Sequence, residues 1–140
     1  MTENFKIISS FIKDMSSETP DVETFLNVRE KISKYLLNID INSKAVKNGI
    51  IEVNIILKFL DKPEILKKSY FEIIYTSVVK VDKSISNKKE MEKIILCDVP
   101  NEVYPKLEKI FINLLTDSGF PGIKFEKKVD FSELYKQRAN

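Results

Sequence analysis

The side chains that could do chemistry are few: the carboxylate pairs Asp14/Glu18 and Glu90/Glu92, one thiol at Cys97, and lysine pairs at 67–68, 88–89 and 127–128. Paired carboxylates can serve as acid and base where they line a cleft. A thiol is a nucleophile when something activates it, and lysines can hold phosphate or an acidic peptide. None of these has the company its chemistry needs. Histidine is absent, which removes imidazole acid/base work, Ser-His and Cys-His nucleophiles and His-containing zinc sites. One cysteine allows neither an internal disulfide nor a Cys-rich metal cluster. The only glycines, Gly49, Gly119 and Gly122, cannot build a P-loop, a GxGxxG turn or a nucleophile elbow. Cys97 falls at helical spacing with Met91, Ile94 and Ile95 and reads as core. The carboxylates and lysines read as solvated surface, with acids near the lysines throughout and Arg29 and Arg138 the only arginines. The expectation is a binding protein, not an enzyme, with no cofactor and no metal.

Partners are bounded in the same way. Twenty-three basic against twenty-one acidic side chains give a formal charge of +2, too even to argue for nucleic acid. No apolar run approaches the ~20 residues of a membrane span, so no stable membrane insertion is expected. The start, Met1 to Lys6, lacks an apolar stretch before a cleavage site, so a reducing cytoplasm fits best. A length of 140 residues, 43% hydrophobic, suits one core, and residues 1–140 read as a single domain.

The elements that must position these residues change period along the chain. Strand-like alternation runs to about Asp82 and helical spacing follows from about Ser86, which predicts an α+β fold. A first strand is expected over Phe5 to Met15, then a short helical turn or loop over Asp21 to Asn27. From Ser33, Tyr35, Leu37, Ile39 and Ile41 alternate with Asn38, Asp40 and Asn42. Asn48-Gly49 supplies the two positive-φ positions of a type I′ hairpin, and Ile51, Val53, Ile55, Leu57 and Phe59 resume the alternation. A further strand spans about Lys68 to Val81, with Phe71, Ile73 and Tyr75 opposite Tyr70, Glu72 and Ile74. Ser86 is the expected N-cap of a short helix to Cys97, stopped by Asp98-Val99-Pro100. A longer helix, Asn101 to Ser118, carries Val103, Leu107, Ile110, Phe111, Leu114 and Leu115 on one stripe and ends at Gly119. Asp130 and Glu133 have capping-box spacing before a small terminal helix.

Three separated segments resemble the bacterial export chaperone family SecB. They are Phe11 to Pro20 (FIKDMSSETP), Tyr70 to Val78 (YFEIIYTSV), and the series Pro100-Asn101, Tyr104-Pro105, Gly119-Phe120-Pro121, Phe125, Val129-Asp130-Phe131 and Leu134-Tyr135. The family usually has glycine near Thr76 and Ser77 and is usually strongly acidic, and this chain differs on both counts. The resemblance spans about Phe5 to Arg138. It implies a four-stranded antiparallel sheet with two packed helices and a short C-terminal helix, assembled as a homotetramer, a dimer of dimers. It implies an ATP-independent chaperone that holds unfolded preproteins and delivers them to the translocase ATPase SecA. By position it implies Asp14, Glu18, Tyr70 and Glu72 as SecA-docking residues on the outer sheet. Phe71, Tyr75, Phe111 and Phe120 are the expected walls of a client groove between helix and sheet. Two other readings stay open: a SecB-like chaperone dedicated to a toxin-antitoxin partner, and a small-ligand-binding or weakly catalytic α+β domain.

Overall fold

The computed structural model describes residues 4–125 and 129–139. The lysine pair at 127–128 lies outside them. Four antiparallel strands, β1 (Phe5–Glu18), β2 (Leu36–Lys47), β3 (Ile50–Leu60) and β4 (Tyr70–Val81), form one sheet in the order β1-β4-β3-β2. Helix α1 (Val22–Lys31) carries the chain from one edge strand to the other. Helices α2 (Lys88–Lys93), α3 (Val99–Asp117) and α4 (Phe131–Ala139) follow the sheet. The α+β order is the one expected from the change of period.

The β2–β3 hairpin forms where the alternation and turn chemistry agree. Asn48 and Gly49 take φ of 49° and 75°, as a type I′ turn requires. Elsewhere the boundaries move for local reasons. Strand β1 runs on past Met15 because Ser16 and Glu18 keep pairing with Glu72 and Tyr70. Register shifts between Ile7 and Ser9 and between Ile12 and Asp14 break its simple alternation. The short helical turn or loop expected over Asp21 to Asn27 is a full helix running on to Lys31: Asp21 caps it by accepting the Thr24 N–H at 2.7 Å, and Thr24 and Val28 are buried beneath it. Ile32–Lys34 form a 3₁₀ turn where a strand start was expected, and β2 begins after Tyr35.

Asn87, not Ser86, caps α2, accepting the Lys89 N–H at 2.7 Å. The stop expected at Val99-Pro100 does not occur. A π-helical turn, Ile94–Asp98, joins α2 to α3, and Val99 stays helical at φ −65°, ψ −50°. Pro100 falls in the first turn of α3, where its missing N–H breaks no bond of that helix. The wider turn just before it gives the pyrrolidine ring room against the carbonyl four residues back. Cys97 is buried in this turn, 3.1 Å from the Ser132 hydroxyl, so the thiol packs α4 onto the rest of the fold. Asp130 caps α4 by accepting the Glu133 N–H.

Helix α3 lays Val103, Leu107, Phe111 and Leu115 over the inner sheet face, where Ile55, Leu57, Phe59, Phe71, Ile73 and Tyr75 complete the core. Gly119 ends this helix with φ +102°, and a Cβ there would lie 2.5 Å from Cε1 of Phe25. Gly122 also has positive φ, +82°, but open space around it. Gly119→Ala is therefore expected to cost about 1–3 kcal/mol from backbone strain, plus the displacement of Phe25 from its 5.2 Å ring contact with Phe120. Gly122→Ala carries the strain alone. Urea midpoints should fall in the order wild type, Gly122→Ala, Gly119→Ala, and equal losses for the two variants would contradict the close packing at Phe25.

Candidate functional site

Antiparallel partners share a face, so the register sorts the sheet into two surfaces. On the outer one, Glu18 lies opposite Tyr70, Ser16 opposite Glu72 and Asp14 opposite Ile74. Asp14, Glu18, Tyr70 and Glu72 are thus on one patch of two neighbouring strands. Asp14 and Glu18 are exposed, Tyr70 and Glu72 half-buried. The Tyr70 hydroxyl donates to the Glu72 carboxylate. Its pKa is pushed up to about 12, first by desolvation, then by that hydrogen bond and by the negative charges of Glu72, Glu18 and Asp14. Tyr70 therefore stays a neutral donor at physiological pH. Lys58 on β3 approaches Glu72 at 4.0 Å with a half-exposed ammonium; such a pair is weak.

Farther along the same face, Asn54 is buried and its amide donates to Asn42 Oδ1 and to Glu52 Oε2, while its oxygen accepts the Thr76 hydroxyl at 2.6 Å. Lys13 reaches Glu52 at 2.9 Å. The amide of Asn54, and after it the Lys13 ammonium, hold the Glu52 carboxyl below its ordinary pKa. The polar network spans all four strands and fixes their register on a face that, among the described residues, no helix covers.

The inner face behaves differently from the expectation for its aromatics. Phe71, Tyr75, Phe111 and Phe120 are 0%, 3%, 0% and 2% exposed. None opens to solvent; all four pack the core. Phe71 meets Phe120 edge-to-face at 5.6 Å and Phe59 at 6.3 Å, and Phe111 stacks on Phe125 at 6.2 Å. The partly exposed apolar residues lie one layer out. Leu37, Ile39, Ile123 and Phe125, with the buried Tyr35 and Phe59 at its base, line a groove of about 610 Å³ between β2 and the chain after Gly119. Ile39 also borders a second hollow of about 260 Å³ walled by Ile41, Leu96, Leu134 and Tyr135. The two concavities meet along β2, an edge strand. Alternation places Phe59 and Leu37 on the inner face, but depth on that face depends on where residues 119–125 fold back, which no local pattern encodes. Tyr35 is anchored at the groove by its hydroxyl, which accepts the Ser69 N–H at 3.0 Å.

The remaining candidates do not converge. Glu90 and Glu92 are two apart on or beside one helical turn, a spacing that turns side chains to different sides. Lys67 pairs with Glu23 at 3.8 Å on the surface. Among the described residues no cluster of carboxylate and thiol ligands could hold a metal ion, and no helix is long and apolar enough to cross a membrane.

A family model described as preprotein translocase subunit SecB matches residues 1–140. A protein-export protein SecB from Pelagibacter ubique is 79% identical over 140 residues, covering 100% of both chains. The protein-export protein SecB of Methylocella silvestris is 25% identical over 130 residues, 93% of this chain and 79% of that one. Among solved structures, a SecB-like chaperone of Mycobacterium tuberculosis in complex with an antitoxin peptide matches with a TM-score of 0.67 and 10% identity, covering 90% of this chain and 88% of that one. At that identity the likeness is one of fold.

Proposed function

The chain belongs to the SecB family, and from that premise we propose that it is an ATP-independent molecular chaperone of the cytoplasm that binds unfolded precursor proteins, keeps them export-competent and delivers them to SecA. One observation carries the reading. The apolar concavities along β2 open on the inner side of the sheet, while Asp14, Glu18, Tyr70 and Glu72 stand on its outer side. A client in the groove and a basic segment of SecA on the carboxylates would not compete for space, so one particle could hold cargo while it docks.

Phe71, Tyr75, Phe111 and Phe120, with Phe59, serve this reading as the stiff backing of the groove, and Leu37 and Phe125 as the surface a client meets. Tyr70 keeps Glu72 in place without taking its charge. A homotetramer, built as a dimer of dimers, would give one client several weak sites, and linked sites raise avidity by about 10²–10⁴ over one. The exposed Ile8, Ile12 and Met15 on edge strand β1 offer apolar surface for such assembly. Binding only the unfolded state shifts the client's folding balance by mass action and needs no nucleotide. The reading as a chaperone dedicated to a toxin-antitoxin partner is not favoured: the whole-chain relatives carry the export name, and the antitoxin-bound structure shares the fold at 10% identity.

The test dilutes a slow-folding precursor from denaturant with and without the protein, in the absence of ATP, while light scattering follows the complex. Refolding should stop in a particle of about four subunits plus client. Free refolding of clients spanning several folding rates, beside an intact tetramer, would overturn the holding function.

A further inference from the structure

The outer face of the sheet carries its charge as a dipole. At the hairpin end, Lys6, Lys80, Ile50 and Lys47 lie in one row across the four strands, and Ser9, Val78, Glu52 and Lys44 form the next. At the far end, Ser16, Glu72, Lys58 and Asn38 form one row, and beyond it Glu18 pairs with Tyr70 and Leu60 with Leu36. Between these ends run a neutral row through Phe11, Thr76, Asn54 and Asn42 and a row holding Asp14 and Asp40. Lys6, Lys44, Lys47 and Lys80 are exposed, and among the described residues Lys6, Lys47 and Lys80 enter no ion pair. One half of the face is basic and the other acidic, although the chain as a whole is nearly balanced at +2.

A face with this order is complementary to itself. A two-fold axis lying in the contact plane and running across the strands sets each strand over its own copy in reverse. It carries the basic rows over the acidic rows of a second chain. Lys6 then faces the second copy's Glu18, Glu52 faces the second copy's Lys58, and Ile50 faces the second copy's Leu60. The alternative axis, along the strands, sets lysines over lysines and is repulsive. Phe11, 48% exposed, lies near the axis and supplies apolar contact at its centre. With 12 residues along β4, a rise of about 3.3 Å per residue and strands about 4.8 Å apart, the face covers roughly 750 Å², close to the ~800 Å² each partner gives to a standard interface.

We propose that the outer sheet face is a self-association surface, on which a second copy of this chain docks antiparallel through reciprocal lysine–carboxylate contacts. The contact needs neither client nor translocase. It covers Asp14, Glu18, Tyr70 and Glu72, so self-association and docking of a basic segment exclude one another, and the stored form is released by salt, dilution or a stronger basic ligand.

The test uses charge swaps on the full chain. One variant carries Lys6→Glu, Lys47→Glu and Lys80→Glu; the other carries Asp14→Lys, Glu18→Lys and Glu72→Lys. Light scattering of the wild type should show mass rising with concentration at about 20 mM salt and falling to the basal particle at about 300 mM, where charges are screened beyond ~6 Å. Each variant alone should remain basal. Their equimolar mixture, with one face strongly acidic and the other strongly basic, should associate at least tenfold more tightly than either alone. A salt-independent wild-type mass, or a mixture no tighter than its components, overturns the proposal. So does a basal mass together with Lys80-dependent capture by phosphatidylglycerol vesicles, which would make the basic half a lipid surface. The wild-type salt series decides the matter even where a variant fails to fold. Refolding arrest is read separately on the lysine variant, whose changes lie outside the client groove, so failure of the contact and failure of the holding function are told apart.

Discussion

Phe71→Ala is expected to remove about 3–5 kcal/mol of stability, the usual cost of deleting a buried phenyl ring and leaving its cavity. The ring is fully buried, with Phe59 at 6.3 Å on one side and Phe120 at 5.6 Å on the other. Its loss unsupports both neighbours: Phe59, which faces the groove, and Phe120, whose chain turns from α3 toward the groove's far wall. Against a typical total of about 5–15 kcal/mol, the variant should be unfolded or close to it at 37 °C. Chemical denaturation measures this directly. Phe125→Ala is the informative partner, because Phe125 is only half-buried and lines the groove itself. It should keep most of the stability and lose client affinity. A Phe71→Ala protein of near wild-type stability that no longer holds clients would return Phe71 to the groove wall.

That pair of substitutions also marks where sequence stopped being legible. Alternation identified the inner face of β3 and β4 because side-chain direction in a strand has a fixed period of two. It could not say which of Phe59 and Phe71, paired on one face and both buried, borders the groove, because that depends on what folds over them. The hairpin was readable from Asn48-Gly49 because one local torsional demand selects those residues. Strand β1 was harder, since two bulges shift its period, and Ser16 to Glu18 pair through backbone without any apolar signal. Pro100 misled for a related reason. A rule about the residue before proline assumes ordinary α geometry, and the π turn at Ile94–Asp98 changes it. The outer carboxylates were placed by resemblance; what brings them together is the register of β1 on β4, a pairing across more than fifty residues that no local window contains.

The same register makes Glu72 the residue to reverse in testing the proposed SecA contact. It sits at the centre of the patch, with Asp14 and Glu18 on the strand beside it, and it is the partner of both Tyr70 and Lys58. Glu72→Lys removes an attraction to a basic segment, adds a repulsion, and releases the Lys58 ammonium to add another. Exposed pairs are worth about 0.2–1 kcal/mol each, so three such changes together predict a loss of affinity of about tenfold at low salt. Most of it should appear in the association rate, with a flatter salt dependence, because surface charges steer encounter more than they hold the complex. Stopped-flow association with SecA across a salt series reads both. The variant carries its own control: with the Glu72 hydrogen bond and charge gone, the Tyr70 pKa should fall from about 12 toward the ordinary 10.0, while desolvation, the largest cause, keeps it above that value. Absorbance titration of the phenolate follows this shift. A lowered Tyr70 pKa beside unchanged SecA affinity and salt slope, in an intact assembly, would mean that the patch was altered as designed and that SecA docks elsewhere.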